Sequence, residues 1–159
     1  MTATIRIDGR EITAAFARMR GLVSDLTPAM REIGEVLTQS TIDRFKTSTA
    51  PDGGRWAPNK PSTLARKRGT RPLIGETGLL SSQFAPRAGP RYVEISTPME
   101  YAATHQYGAR RGQYGRSRRG APIPWGDIPA RPFLGLSESD RRAVMEIIEE
   151  HCGAVDLSA

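Results

Sequence analysis

A chain of 159 residues is long enough for one domain whose core stands without metal or disulfide staples. A lone cysteine, Cys152, excludes an internal disulfide and suits a reducing compartment. The net charge of +6 favours phosphate or an acidic protein face as partner. The start, "MTATIRIDGREI", lacks the apolar core of a signal peptide, and no apolar run approaches membrane-spanning length. The chain is therefore expected in the cytoplasm where it is made.

The first element is a short strand, because "TIRIDG" alternates Ile5 and Ile7 with polar residues and ends in Asp-Gly. From Glu11 the apolar residues Ile12, Phe16, Met19, Val23 and Leu26 share one helical face. Thr27-Pro28 starts a second helix, with threonine as cap and proline where no N–H is needed. Its stripe is Met30, Ile33, Leu37, Thr41 and Phe45. Both stripes read as core packing of a helical hairpin.

A stretch rich in proline and glycine follows, broken by a helical turn from Ser62 to Arg68 that Gly69 stops. "LIGETGLLSSQF" and "RYVEIST" flank Ala88-Gly89-Pro90 and read as an antiparallel hairpin, with Thr77-Gly78 as its tight entry. Val93, Ile95 and Thr97 fall on one face of the second strand. Pro98 opens a short helix that Gly108 ends. Ser137 with Asp140 forms a capping box for a last helix that buries Val144, Ile147, Ile148 and Cys152. The expected fold is α+β. Two long N-terminal helices and a C-terminal helix pack on a small antiparallel sheet, in a single domain spanning residues 1–159.

Between these helices lies an arm at residues 109–124, carrying Arg110, Arg111, Tyr114, Arg116, Arg118 and Arg119. Its arginines suit phosphates and its tyrosine suits base stacking, yet the same composition suits a solvated loop. "APIPWGDIPARPFLGL" then turns apolar with proline-fixed geometry, and Ile-Pro-Trp and Pro-Phe-Leu need burial. The arginines thus mark the tip of a loop whose second leg returns to the domain. Acidic residues gather at the other end of the chain: Glu138, Asp140, Glu146, Glu149, Glu150 and Asp156.

No constellation carries chemistry. His105 and His151 are far apart, and one cysteine beside His151 makes no zinc pattern. The serines lack a nucleophile elbow, and the glycines lack a phosphate-binding spacing. His105 follows Tyr101 by four residues, a spacing for a packed pair. No catalytic residue, cofactor or metal is expected.

Four segments in order carry a resemblance: "GGRWAPNKPSTLARK", "LIGETGLLSSQF", "YAATHQYG" and "IPARPFLGLSESD". They resemble the phage virion morphogenesis family, the Mu-like tail-completion proteins of tailed phages and prophages. The motif residues are Trp56, Pro58, Thr77, Gly78, Tyr101, His105, Gln106, Gly108, Arg131, Pro132 and Phe133. The resemblance implies a structural protein at the head–tail junction that works by contact with other neck and tail proteins. Charge and resemblance together lead to a ring, hexameric in the virion and a monomer or small oligomer in solution, with the arm meeting the acidic final helix of a neighbour. Trp56 and Pro58 are expected to anchor the long loop, Arg131 to reach a carboxylate, and Phe133-Leu134 to dock on the sheet. The alternative is a DNA-binding protein using the arm, with weak and sequence-blind contact.

Overall fold

The computed structural model describes residues 4–7 and 25–153. The strand read from "TIRIDG" is present as β1, Thr4–Ile7. The helix expected from Glu11 lies outside the described residues, so of the two long N-terminal helices one is seen: α1, Thr27–Thr47. Short helices α2, Pro61–Leu64, and α3, Leu79–Ser82, precede the strands β2, Ala85–Gly89, and β3, Tyr92–Ser96. Helices α4, Ala102–Tyr107, and α5, Glu138–Gly153, follow. Among the described residues no helix is long and apolar enough to cross a membrane.

The sheet has the order β1-β3-β2 and is antiparallel throughout. Its first strand pairs Ile5 with Ile95 and Ile7 with Val93, so the chain's start closes the far edge of the hairpin. Helix α1 packs on β2, β3 and α5 and is the element the others share. Its whole expected stripe, Met30, Ile33, Leu37, Thr41 and Phe45, is buried. Gly34 lets the helix approach the sheet closely. A Cβ there would sit 3.0 Å from the Cβ of Pro86 and 3.1 Å from Cγ2 of Val93.

Several boundaries differ from the sequence reading. The side chain bonded at the start of α1 is that of Asp25, whose Oδ1 accepts the Thr27 N–H at 2.9 Å. Thr27 itself is already the first helical residue, and Pro28 follows within the first turn, where its missing N–H costs nothing. The turn at Pro61 ends at Leu64 rather than reaching Arg68. "LIGETGLL" is not a hairpin arm: Gly78, at φ 63°, opens α3, and the strand begins only at Ala85. Hydroxyls of Ser81 and Ser82 both donate to the Gly78 carbonyl, giving local partners that an extended chain would lack. Likewise Pro98 leads into a turn, and the helix starts at Ala102. At Ser137 the capping box is complete. The Ser137 N–H donates to Asp140 Oδ2 at 2.8 Å, and the Asp140 N–H donates to Ser137 Oγ at 3.1 Å.

The centre of the core is a cluster of four aromatic rings from distant parts of the chain. Phe45 meets Trp56 edge-on at 5.2 Å, Phe133 at 5.3 Å and Phe84 at 5.9 Å. Phe133 is fully buried among these rings, so it docks on α1 and Phe84 rather than on the open face of the sheet. The reason is reach: the segment Arg131–Leu134 runs beside α1, where Arg44 and Gln106 hold its main chain. Arg44 Nη1 donates to the Phe133 carbonyl at 2.8 Å. Gln106 Oε1 accepts the N–H groups of Phe133 and Leu134, each at 3.0 Å, and its Nε2 donates to the Leu134 carbonyl at 3.0 Å.

Arg44 also forms a buried ion pair with Asp140, joining α1 to the start of α5. Burial works to raise the Asp140 carboxyl, but hydrogen bonds from Ser40 and Ser137 and the Arg44 charge overcome it, so the group titrates below its ordinary 3.8.

Phe133→Ala is expected to cost about 3–5 kcal/mol, read as a lower urea midpoint at unchanged slope. A loss under about 1 kcal/mol would show that the ring cluster is not the core. The Asp140 contribution is fully present above the unfolded carboxyl value and is lost as pH falls through 3.8 toward the depressed folded value. Asp140→Asn should therefore be about 3–5 kcal/mol less stable at neutral pH, because Arg44 is left buried and unpaired. The variant should also have a shallower acid limb in its stability profile. An acid limb identical to that of the parent would dissociate Asp140 from acid loss.

Candidate interaction surface

The arm leaves the domain at Gly108 and returns at Ile128. Its root is a pair of main-chain bonds between Ala109 and Ile128, at 2.9 and 2.7 Å. Farther out, the Tyr114 N–H donates to the Ile123 carbonyl, the Ile123 N–H to the Gly115 carbonyl, and the Ser117 N–H to the Ala121 carbonyl, each at 2.8 Å. Gly112, Gly115 and Gly120 make the turns at φ 74°, 91° and 76°. The second leg does return to the domain, as the proline-rich segment implies, and the two legs support one another along their length. Gly108 is fixed at the root: its φ is 77°, and a Cβ would lie 2.8 Å from the Ile128 carbonyl oxygen.

Arg110, Arg111, Arg116, Arg118 and Arg119 are all exposed on this arm. Among the described residues none of the five forms an ion pair; Arg116 Nη1 instead donates to the Gly120 carbonyl at 2.9 Å. Tyr114 is half-exposed and shares a hydrogen bond of 2.9 Å with the Thr104 hydroxyl, which ties the arm to α4. Two large rings stand beside it in solvent, Tyr107 at 68% and Trp125 at 73% of full exposure. The expectation that Ile-Pro-Trp is buried is thus corrected. The chain rejoins the domain only at Ile128, and burial resumes at Arg131. Composition signals an anchor at Trp125; what it could not tell is whether the anchor holds its own domain or another.

The acidic helix presents Glu138, Glu146, Glu149 and Glu150 to solvent. Asp140 does not belong to that face, being spent on Arg44 inside the protein. Asp156 lies outside the described residues.

The motif residues gather at the root of the arm and beneath it. Trp56 anchors the long loop as expected: its ring is buried and Nε1 donates to the Pro132 carbonyl at 2.7 Å. Arg131 is buried but meets no carboxylate among the described residues. Nε donates to the Ala57 carbonyl at 2.8 Å and Nη2 to the Pro58 carbonyl at 3.0 Å. Burying Trp56 brings those two carbonyls alongside, and the guanidinium supplies their partners. Tyr101 and His105 do pack as a pair, edge-on at 6.0 Å, while the His105 carbonyl accepts the Arg131 N–H at 2.8 Å. Burial, with the Arg131 and Lys67 charges, pushes the His105 imidazole below its ordinary 6.5. Thr77 is exposed on a cleft beside this pair. Among the described residues no three His, Cys, Asp or Glu side chains are placed to hold a metal.

The model of the phage virion morphogenesis family matches residues 7–153. The chain is 31% identical over 144 residues to "Mu-like prophage FluMu G protein 2" of Haemophilus influenzae, covering 91% of each chain. It is 30% identical over 144 residues to "Tail completion protein S" of Escherichia phage P2, covering 84% of this chain and 92% of that one. It is 28% identical over 155 residues to "Putative capsid assembly protein G" of Escherichia phage Mu, covering 94% of each. No solved structure matches the chain significantly. The match runs through the sheet, the aromatic core, the root of the arm and the last helix, and the chain belongs to the phage virion morphogenesis family.

Proposed function

We propose that this protein completes the phage tail and joins it to the head, as a single domain that works by protein–protein contact through its arm. The observation that carries the reading is the arm itself. Five exposed arginines stand with Tyr107 and Trp125 in solvent on a backbone that the fold holds in place. Tryptophan, tyrosine and arginine are the residue types that dominate the energetics of protein interfaces. The likeness to the phage P2 relative, a tail completion protein, supports the step at which this contact is made. On this reading the protein works in the host cytoplasm during assembly and then stays in the virion at the head–tail junction, among other neck and tail proteins.

A tail end with cyclic symmetry calls for a closed ring with unlike surfaces facing each other. The arm and the glutamates of α5 are such a pair, and a hexameric ring built on them is part of the proposal. Exposed ion pairs contribute little each, so ring closure is weak and salt-sensitive, with a monomer or small oligomer in dilute solution. DNA contact through the arm is the competing reading. It is sequence-blind, because the arginines sit on turns, a β-bridge and irregular chain, and no helix carries them into a groove.

The test is electron microscopy of particles made with an Arg116→Glu, Arg118→Glu, Arg119→Glu, Trp125→Ala variant. All four side chains are exposed, so its melting temperature should match the parent within a few degrees. Separate heads and tails are expected. Normal particles from the folded variant would remove the arm from the assembly step, and loss of DNA packaging with intact junctions would promote the DNA reading.

A further inference from the structure

Beneath the arm, between the loop after Asn59 and the segment Asp127–Arg131, lies a cleft of about 440 Å³. Its apolar wall includes Leu73, Leu80 and Ile128. Three cations line it: Lys60, Lys67 and Arg131. Among the described residues, all of their side-chain hydrogen-bond partners are neutral main-chain carbonyls. Lys60 Nζ donates to the Asp127 carbonyl at 2.8 Å, and Lys67 Nζ to the Arg71 carbonyl at 2.6 Å. Arg131 spends two donors on Ala57 and Pro58. An ammonium has three N–H donors and a guanidinium five, so most of this capacity is unused. Among the described residues no carboxylate pairs with any of the three. The one acid on the wall, Asp127, has Oδ1 engaged by the Arg111 N–H at 2.8 Å.

This arrangement is electrostatically uncomfortable as it stands. Lys67 is held below its ordinary 10.5 by burial and by the Arg131 charge. The His105 imidazole on the same wall is held below its ordinary 6.5 by burial and by the Arg131 and Lys67 charges, and among the described residues its buried Nδ1 has no hydrogen-bond partner. A set of like charges beside an apolar wall, with donors to spare, is the inverse image of an acid on an apolar segment.

We infer that the cleft binds a carboxylate carried on an extended peptide segment of a partner protein, with an apolar neighbour of that carboxylate against Leu73, Leu80 and Ile128. A nucleic-acid phosphate fits less well, since a polyanion needs an open basic groove rather than a wall of leucine and isoleucine. A volume of about 440 Å³ suits a few residues of peptide. The site shares Asp127 and Ile128 with the foot of the arm, but none of the arm's five exposed arginines lines it.

The test uses the full chain, labelled with nitrogen-15, titrated with millimolar peptides and followed by amide shifts. One probe, acetyl-Leu-Glu-Leu amide, carries only a side-chain carboxylate. A second, acetyl-Leu-Gln-Leu acid, carries only a terminal one. The neutral control is acetyl-Leu-Gln-Leu amide, and inorganic phosphate and a thymidine oligonucleotide are the phosphate probes. Shifts at Leu80, His105 and Ile128 with either acidic peptide are expected, and the better binder identifies which carboxylate the cleft takes. Lys67→Gln should weaken that binding by roughly tenfold, the worth of a charge-assisted hydrogen bond. Lys60→Gln, at an exposed side chain, is the second variant should the first fail to fold. Equal binding of the neutral peptide, unchanged affinity in a folded variant, or shifts with the phosphate probes alone would each overturn the assignment.

Discussion

A stretch of chain without helix or strand runs through the middle of this protein, and side chains from three distant segments satisfy its main chain. Residues 129–134 have no regular partners of their own, yet Phe133 and Leu134 are buried. Leaving a buried peptide group unpaired costs about 1–3 kcal/mol. The carbonyl of Pro132 is met by the Trp56 indole, that of Phe133 by Arg44, and that of Leu134 by Gln106. The two N–H groups of Phe133 and Leu134 share the Gln106 side-chain oxygen. Arg131 reverses the direction of service and donates to the loop that carries Trp56. Three of the four motif segments, those carrying Trp56, Gln106 and Arg131–Leu134, are therefore joined with Arg44 of α1 in one hydrogen-bonded unit, and Phe84 at the end of the remaining segment meets that unit through its ring.

The unit also explains a buried charge. Arg44 cannot serve the Phe133 carbonyl from the core unless its cation is neutralised, and Asp140 does this while capping α5. Burial lowers the arginine's own proton affinity and Asp140 restores part of it. The pair thus fixes where α5 starts relative to α1. A hydrophobic pair of the same size would pack as well, but it would leave the Phe133 carbonyl unserved.

How much of this was legible depended on whether the cause was local. The stripe of α1, the face of Val93, Ile95 and Thr97, and the Ser137–Asp140 box are set by spacing within a few residues, and all appear as read. "LIGETGLL" was misread because its leucines suit strand and helix equally, and local serine-to-backbone bonds decided for the helix. The partners of Arg131 and the site of Phe133 were hidden for another reason. A guanidinium facing carbonyls and one facing a carboxylate look the same in sequence, and the choice lies 73 or 74 residues away. Trp125 shows the opposite limit. Its composition signals a contact, but the signal is identical whether the contacted surface belongs to this chain or to another.

The arm takes its value from where its feet stand. One foot is Gly108, immediately after the helix that carries Gln106; the other is Ile128, three residues before Arg131. Both feet therefore rest on the hydrogen-bonded unit of the core, and the Ala109–Ile128 bond pair clamps them together. Tyr114 adds a third point of support through Thr104. Beyond these supports the arginines touch little of the domain, so the tip can change composition without disturbing the aromatic cluster or the Arg44 pair. A surface held on rigid supports loses less conformational entropy on binding than a free tail. By satisfying one irregular strip of backbone, the core also fixes where the two feet of the arm stand.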